Sequence, residues 1–200
     1  IRDFILNTVK HCDLTILSPA LQSNISKISV KSIDLSLQSK FQIINPSSLS
    51  NFSIIENLFN KQFVNYSTNK FEFERACFMR WLALNSYTSD SSPNEYICLM
   101  DTDFMLGLNP SIVLSEILKL TPDHHINFVS FWSDEYSVTP PITIFKKSYL
   151  EQFCEFLLTE FYSPSNQNNL IGRYYQILSK GKLGGISDMY ALRVFINQNS

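Results

Sequence analysis

Glycine is scarce in this chain: there are five in 200 residues, and none is arranged as the Gly-rich loops that cradle phosphates in dinucleotide-binding folds or P-loops. Any phosphate bound here must be held by a metal ion or by side chains. Positive charge is equally limited. Sixteen Lys and Arg against eighteen Asp and Glu leave a net charge of −2 with no basic stripe, which removes the electrostatic basis for binding a nucleic-acid polymer. No apolar run reaches the length of a membrane span, no secretory signal is visible, and Ile1 rather than Met opens the sequence. The four cysteines, Cys12, Cys77, Cys98 and Cys154, include no Cys-x-x-Cys pair. Three lie inside apolar helical or strand patterns, so they read as free buried thiols of a reducing, cytoplasmic compartment. His11 is isolated and His124-His125 has no third ligand at suitable spacing, which makes a zinc site improbable.

What the chain has in quantity is apolar and aromatic mass. At 44% hydrophobic and 14% aromatic, with sixteen Phe and nine Tyr, it can fill one good core, so residues 1–200 read as a single α/β domain. Helical spacing is expected over 3–12, 53–63, 72–87, 110–120, 149–161, 169–179 and 187–197. Strand patterns are expected over 14–17, 96–100, 125–132 and 142–145, and the apolar islands at 28–30 and 41–44 read as strands or irregular connections. The helix over 72–87 is the clearest, with Phe73, Ala76, Cys77, Arg80, Trp81 and Leu84 three and four residues apart. The Ser/Asn-rich stretch 163–169 reads as a loop between helices.

The segment with most chemical content is Tyr96-Ile97-Cys98-Leu99-Met100-Asp101-Thr102-Asp103, an apolar strand ending abruptly in two carboxylates. Strand tips in open α/β sheets are where ligands bind, and two acids placed there call for a cation. A divalent metal on hard oxygen ligands keeps open positions for substrate phosphates, which directs attention to phosphorylated or nucleotide-activated substrates. An Asp-x-Asp pair alone is a weak signal, but its context adds to it. Gly107 permits a turn, Asn109-Pro110 suits an N-cap with proline at the first helical position, and the helical pattern follows. The plain alternative is a pair of solvated loop acids.

The stretch EYICLMDTDFMLGLNP, preceded by FEFERACFMRWLALNSY and followed by GGISDMYALRVF, resembles a bacterial glycosyltransferase of the GT-A fold, in the superfamily of nucleotide-diphospho-sugar transferases. The resemblance implies a GT-A-like (Rossmann-like) mixed, mostly parallel sheet flanked by helices. It implies Mn²⁺ or Mg²⁺ on Asp101 and Asp103, bridging the diphosphate of a nucleotide-sugar donor. The acceptor would be a glycan, a lipid-linked molecule or a small molecule. The first, base-recognising strand of that fold has no counterpart at the start of this sequence, so it is expected to be missing or to lie upstream.

Other residues fall around this centre. Asp188, after Gly184-Gly185, is the candidate general base that would take a proton from an acceptor hydroxyl. The competing reading is an acid in the first turn of a helix capped by Ser187. Arg75 and Arg80 could each present a bidentate fork to a diphosphate, but five residues apart on one helix only one is expected to face the site; Arg80 is assigned to cofactor binding. Glu72 and Glu74 are expected to pair with neighbours. Asp134 and Glu135 follow a second strand and could face the ligand from another side, although a solvated loop is the favoured reading; Trp132 and Tyr136 could stack on a sugar, but in so aromatic a chain such residues more often belong to the core or its rim. Two other functions compete. A haloacid-dehalogenase-like phosphohydrolase also uses Asp-x-Asp at a strand tip, but Met105 replaces the expected Thr or Val, and the downstream acidic cluster is absent. A non-catalytic domain with GT-A-like binding is the third.

Overall fold

The structure, a computed structural model, describes residues 14–17, 41–91, 96–100, 112, 115, 116, 119, 126–129 and 142–199. In order along the chain come strands β1 (Leu14–Leu17) and β2 (Phe41–Ile44), helices α1 (Phe52–Gln62) and α2 (Phe71–Ser91), and strands β3 (Tyr96–Met100), β4 (Ile126–Val129) and β5 (Ile142–Lys146). Helices α3 (Lys147–Phe156), α4 (Pro164–Ser179) and α5 (Asp188–Gln198) complete it. Residues 112, 115, 116 and 119 are helical, in the stretch where a helix is expected. The expected helix over 3–12, the apolar island at 28–30 and the turn at Gly107 lie outside the described residues.

The expected GT-A-like, mostly parallel sheet flanked by helices is not what forms. Helix dominates the described residues, and β3, β5 and β4 make a small antiparallel sheet in that order, with β5 in the middle. The one parallel pairing among the described strands, β1 with β2, belongs to a separate two-stranded sheet. Among the described strands, the one leading to Asp101 thus stands at the edge of an antiparallel sheet, not at the centre of a parallel one. The misreading has a physical cause. A strand buried on both faces is apolar throughout whichever way its neighbours run, and in β5 the consecutive residues Thr143, Ile144 and Phe145 are all buried.

The core is built from phenyl rings. Phe153 on α3 packs edge-on to Trp81 of α2 at 5.7 Å, lies 6.2 Å from Phe145 of β5 and 5.2 Å from Phe195 of α5. One residue type thereby joins three helices to the sheet. On the other side, Phe59 of α1 and Phe63 just after it meet Phe78 of α2 and Tyr162 beyond α3 within 6 Å. A one-turn π segment, Leu157–Phe161, continues α3, and Phe161 and Tyr162 both end up inside. The extra residue in such a turn shifts the apolar face, so that two adjacent aromatics can both point inward.

Helix α4 begins five residues earlier than its apolar pattern indicates. Pro164 stands in its first turn, where a missing N–H is harmless, and the polar residues before Leu170 lie along a largely solvated turn. The helix ends in a Schellman motif. Gly181 in the left-handed region (φ 66°) donates to Leu178 at 2.9 Å, and Lys182 donates to the carbonyl of Ile177 at 3.3 Å.

Candidate functional site

Two features carry the functional question: one edge of the sheet, and a buried polar knot where α5 meets α2. The register sets the first. Met100 pairs with Ile142, and Ile142 pairs with Val129, so the C-terminal ends of β3 and β4 lie at the same edge. Two strand spacings separate them, about 10 Å. The residue after Met100 is Asp101, and the chain leaving Val129 leads to Trp132, Asp134, Glu135 and Tyr136. Asp101, Asp103 and those four residues lie outside the described residues. Among the described residues no group of three or more His, Cys, Asp or Glu could hold a metal ion. The donor set suggested for a metal, two carboxylates after an apolar strand, suits the hard ions Mn²⁺ and Mg²⁺ by its oxygen chemistry.

The knot is centred on Asp188. Its Oδ2 accepts from Arg80, through the terminal nitrogen at 2.7 Å and Nε at 3.2 Å, and from the indole N–H of Trp81 at 2.8 Å. Asp188 is 2% exposed. Three donors thus converge on one oxygen of a carboxylate with very little surface. Its place at the head of α5 is also that of a helix-start acid: Ser187 caps the helix by accepting from the Tyr190 N–H, and Asp188 stands in the first turn. The Arg80 guanidinium lies 4.9 Å from the Trp81 ring centre, and its side chain remains 31% exposed. A carboxylate on one side and an indole beneath hold the fork in one orientation.

A pair of backbone strands brings α5 to this position. Ser67 and Gly185 form an isolated antiparallel bridge, with Ile186 donating to Tyr66 at 2.8 Å and Thr68 to Gly184 at 3.1 Å. The loop before α5 is thereby tied to the loop before α2. Gly185 is the contact point: a Cβ there would stand 2.1 Å from the Tyr66 carbonyl oxygen and 2.5 Å from the Ser67 Cα. Of the two glycines before α5, Gly185 serves a close approach of two backbones, whereas a Cβ at Gly184 would meet nothing within 4 Å.

Beside the knot, Glu74 is 2% exposed and its Oε1 accepts from Ser67 Oγ at 2.8 Å and Asn69 Nδ2 at 2.7 Å. Among the described residues its other oxygen and the hydroxyl of buried Tyr162 have no hydrogen-bond partner. Burial raises the Tyr162 phenol above its ordinary 10.0, and the carboxylate of Glu74, Tyr66 and Asp188 push the same way. Arg75 is engaged elsewhere, with Glu56 at 2.6 Å and Asn60 at 2.7 Å, tying α2 to α1. The knot thus gathers Arg80 and Asp188, two residues singled out by sequence, and adds Trp81, Glu74 and Tyr162. For Trp81 a signal was present: a Trp on the buried face of a helix needs an acceptor for its N–H. Tyr162 gave none, because only the π turn directs it inward.

An orphan hydroxyl makes a specific prediction. Tyr162→Phe removes a buried donor that satisfies nothing, so at neutral pH the variant is expected within about 1 kcal/mol of the parent, on either side. Above pH 10 the two should diverge. There the unfolded tyrosine ionises while the folded one keeps its proton, the unfolded state binds fewer protons, and stability falls as pH rises. Buried Cys154, whose thiol donates to the Trp81 carbonyl at 3.5 Å, is raised in the same sense from 9.0. Urea midpoints measured from pH 8 to 11 should fall less steeply for Tyr162→Phe; parallel curves would refute the assignment.

No family model, curated protein or solved structure matches this chain.

Proposed function

We propose that the chain is a metal-dependent glycosyltransferase, moving a sugar from a nucleotide-diphosphate donor to an acceptor hydroxyl, with Asp101 and Asp103 as the metal ligands. The observation that supports this most is the register of the antiparallel sheet. It sets the end of β3, one residue before Asp101, at the same edge as the end of β4, which leads to Asp134 and Glu135. Acids that follow both of these strand ends in sequence would suit a cation and the diphosphate it carries. The ion, when bound, neutralises charge developing on the leaving nucleoside diphosphate.

The chain's own residues then divide the work. Asp101 and Asp103 hold the ion. Arg80 supplies a guanidinium for diphosphate oxygens, oriented in advance by Asp188 and Trp81. Asp188 is a positioning residue in this reading. Its burial speaks against the role of acceptor base.

Calorimetric titration of uridine and guanosine diphosphate sugars, with and without Mn²⁺, tests the reading. Metal-dependent binding that Asp103→Asn and Asp101→Asn each reduce at least ~10-fold is expected. Arg80→Lys, which keeps charge but loses the fork, should weaken donor binding with the metal requirement unchanged. Phosphate released from an aryl phosphate by the parent chain and not by Asp101→Asn would replace the proposal with the phosphohydrolase. A folded chain that binds no sugar nucleotide at any metal concentration would reduce it to a non-catalytic module.

A further inference from the structure

One surface has no part in this chemistry. In a chain of net charge −2, the 27 residues from Phe161 to Ser187 contain no Asp or Glu and carry Arg173, Lys180 and Lys182. The same segment displays the two large apolar side chains most open to solvent among the described residues, Leu183 at 89% and Tyr175 at 65% exposure, with Leu178 beside them at 37%. Tyr175 and Leu178 are three residues apart on α4, hence on one face, and Lys180 and Lys182 are exposed beside Leu183.

Leu183 stands out because it is held in place, not merely exposed. On its N-terminal side the Schellman motif anchors Gly181 and Lys182 to the last turn of α4. On its C-terminal side Gly184, at φ 95°, donates to Thr68 Oγ1 at 2.8 Å and accepts from the Thr68 N–H at 3.1 Å. A leucine is thereby presented at the tip of a tethered loop, between two glycines in the left-handed region that allow the chain to turn away on either side. The ordering entropy of the backbone is already lost before anything binds.

We infer that this tip, Lys180 to Leu183 with the adjoining Tyr175–Leu178 face of α4, is a docking surface for an anionic lipid bilayer. Three features choose that occupant. The charge is complementary, all basic on the segment of an otherwise acidic chain. Leucine and tyrosine interleaved with lysines suit the headgroup boundary, where apolar side chains enter the acyl region and ammonium groups remain among the phosphates. The apolar atoms stand on a projecting loop, which a soft interface can receive without a matching cavity. No helix among the described residues is long and apolar enough to cross a membrane, so the contact is peripheral. The inference is independent of the proposed sugar transfer.

Sedimentation of the full chain with sucrose-loaded vesicles tests it. Binding is expected to vesicles containing about a third phosphatidylglycerol, to be much weaker with phosphatidylcholine alone, and to be lost in 1 M salt, where the screening length is about 3 Å. Each juxtamembrane lysine contributes roughly fivefold, so Lys180→Glu with Lys182→Glu should reduce binding at least ~25-fold. Leu183→Trp, at a fully solvated position, provides a second readout: its fluorescence should shift to the blue on adding anionic vesicles. No sedimentation with anionic vesicles overturns the inference. So does sedimentation that survives the lysine reversals, an unshifted Trp, or a self-associated species abolished by Leu183→Glu with no vesicle binding, which would assign the surface to a second copy of the chain.

Discussion

Asp188→Ala lowers the stability of the fold by about 3 kcal/mol or more, as read from the urea midpoint at neutral pH. Breaking a buried ion pair by deleting one partner costs about 3–5 kcal/mol, because the remaining charge is stranded. Here the Arg80 side chain is 31% exposed and can recover water, which favours the lower end. The Trp81 indole N–H cannot recover it. Trp81 is 1% exposed and Asp188 is its acceptor at 2.8 Å, so an unsatisfied buried donor adds about 1–3 kcal/mol. Asp188→Asn separates structure from catalysis. It keeps an oxygen for Trp81 and loses the charge opposite Arg80, so about half the destabilisation is expected. In the proposed enzyme this variant should retain transfer with weaker donor binding. A fully folded Asp188→Asn chain with unaltered donor binding and no transfer would restore the carboxylate as the acceptor base.

Gly185→Ala should cost about 3 kcal/mol, for a different reason. The added methyl would stand 2.1 Å from the carbonyl oxygen of Tyr66, and the obstacle is backbone, which has no rotamer to change. The two segments must separate, and the bonds from Ile186 to Tyr66 and between Thr68 and Gly184 weaken with them. Overpacking of this kind costs about 1–3 kcal/mol before those hydrogen bonds, at about 1 kcal/mol each, are counted. Gly184→Ala is the internal control. Nothing stands within 4 Å of a Cβ there, and its cost is that of a left-handed backbone at φ 95°, about 1–2 kcal/mol. Thermal or urea unfolding of the two variants side by side checks the order; Gly184→Ala as the more damaging would contradict the close approach. Because the bridge leads directly into α5, Gly185→Ala should also loosen Arg80, visible as faster hydrogen exchange at the first amides of α5.

The individual elements were legible because each rests on local patterns. β1, β2 and β3 form over the residues their apolar runs indicate, and α2 forms where the spacing from Phe73 to Leu84 predicts a helix and runs on to Ser91, although Phe73 and Ala76 of that row are exposed and the buried face is carried by Phe78, Trp81 and Leu82. α4 was less legible at its start, since Ser, Asn and Gln describe a solvated first turn as well as a loop. Sheet direction was not legible. It depends on which strands meet, and Ile142–Lys146 gives the same apolar pattern beside a parallel or an antiparallel neighbour.

The site divides in the same way. Composition and spacing by themselves decided that the chain has no glycine phosphate loop and no basic stripe, that Asp101 and Asp103 follow directly on an apolar strand, and that Ser187-Asp188 begins a helix. These follow from residue chemistry and from neighbours within a turn or two. Tertiary structure alone decided that Asp188 meets Arg80 and Trp81, more than 100 residues away in sequence, that Gly185 touches Tyr66, and that β3 and β4 end at one edge. Such contacts are set by how helices and strands pack around the ring cluster of Phe153, Trp81 and Phe145, a shared minimum that no single segment encodes.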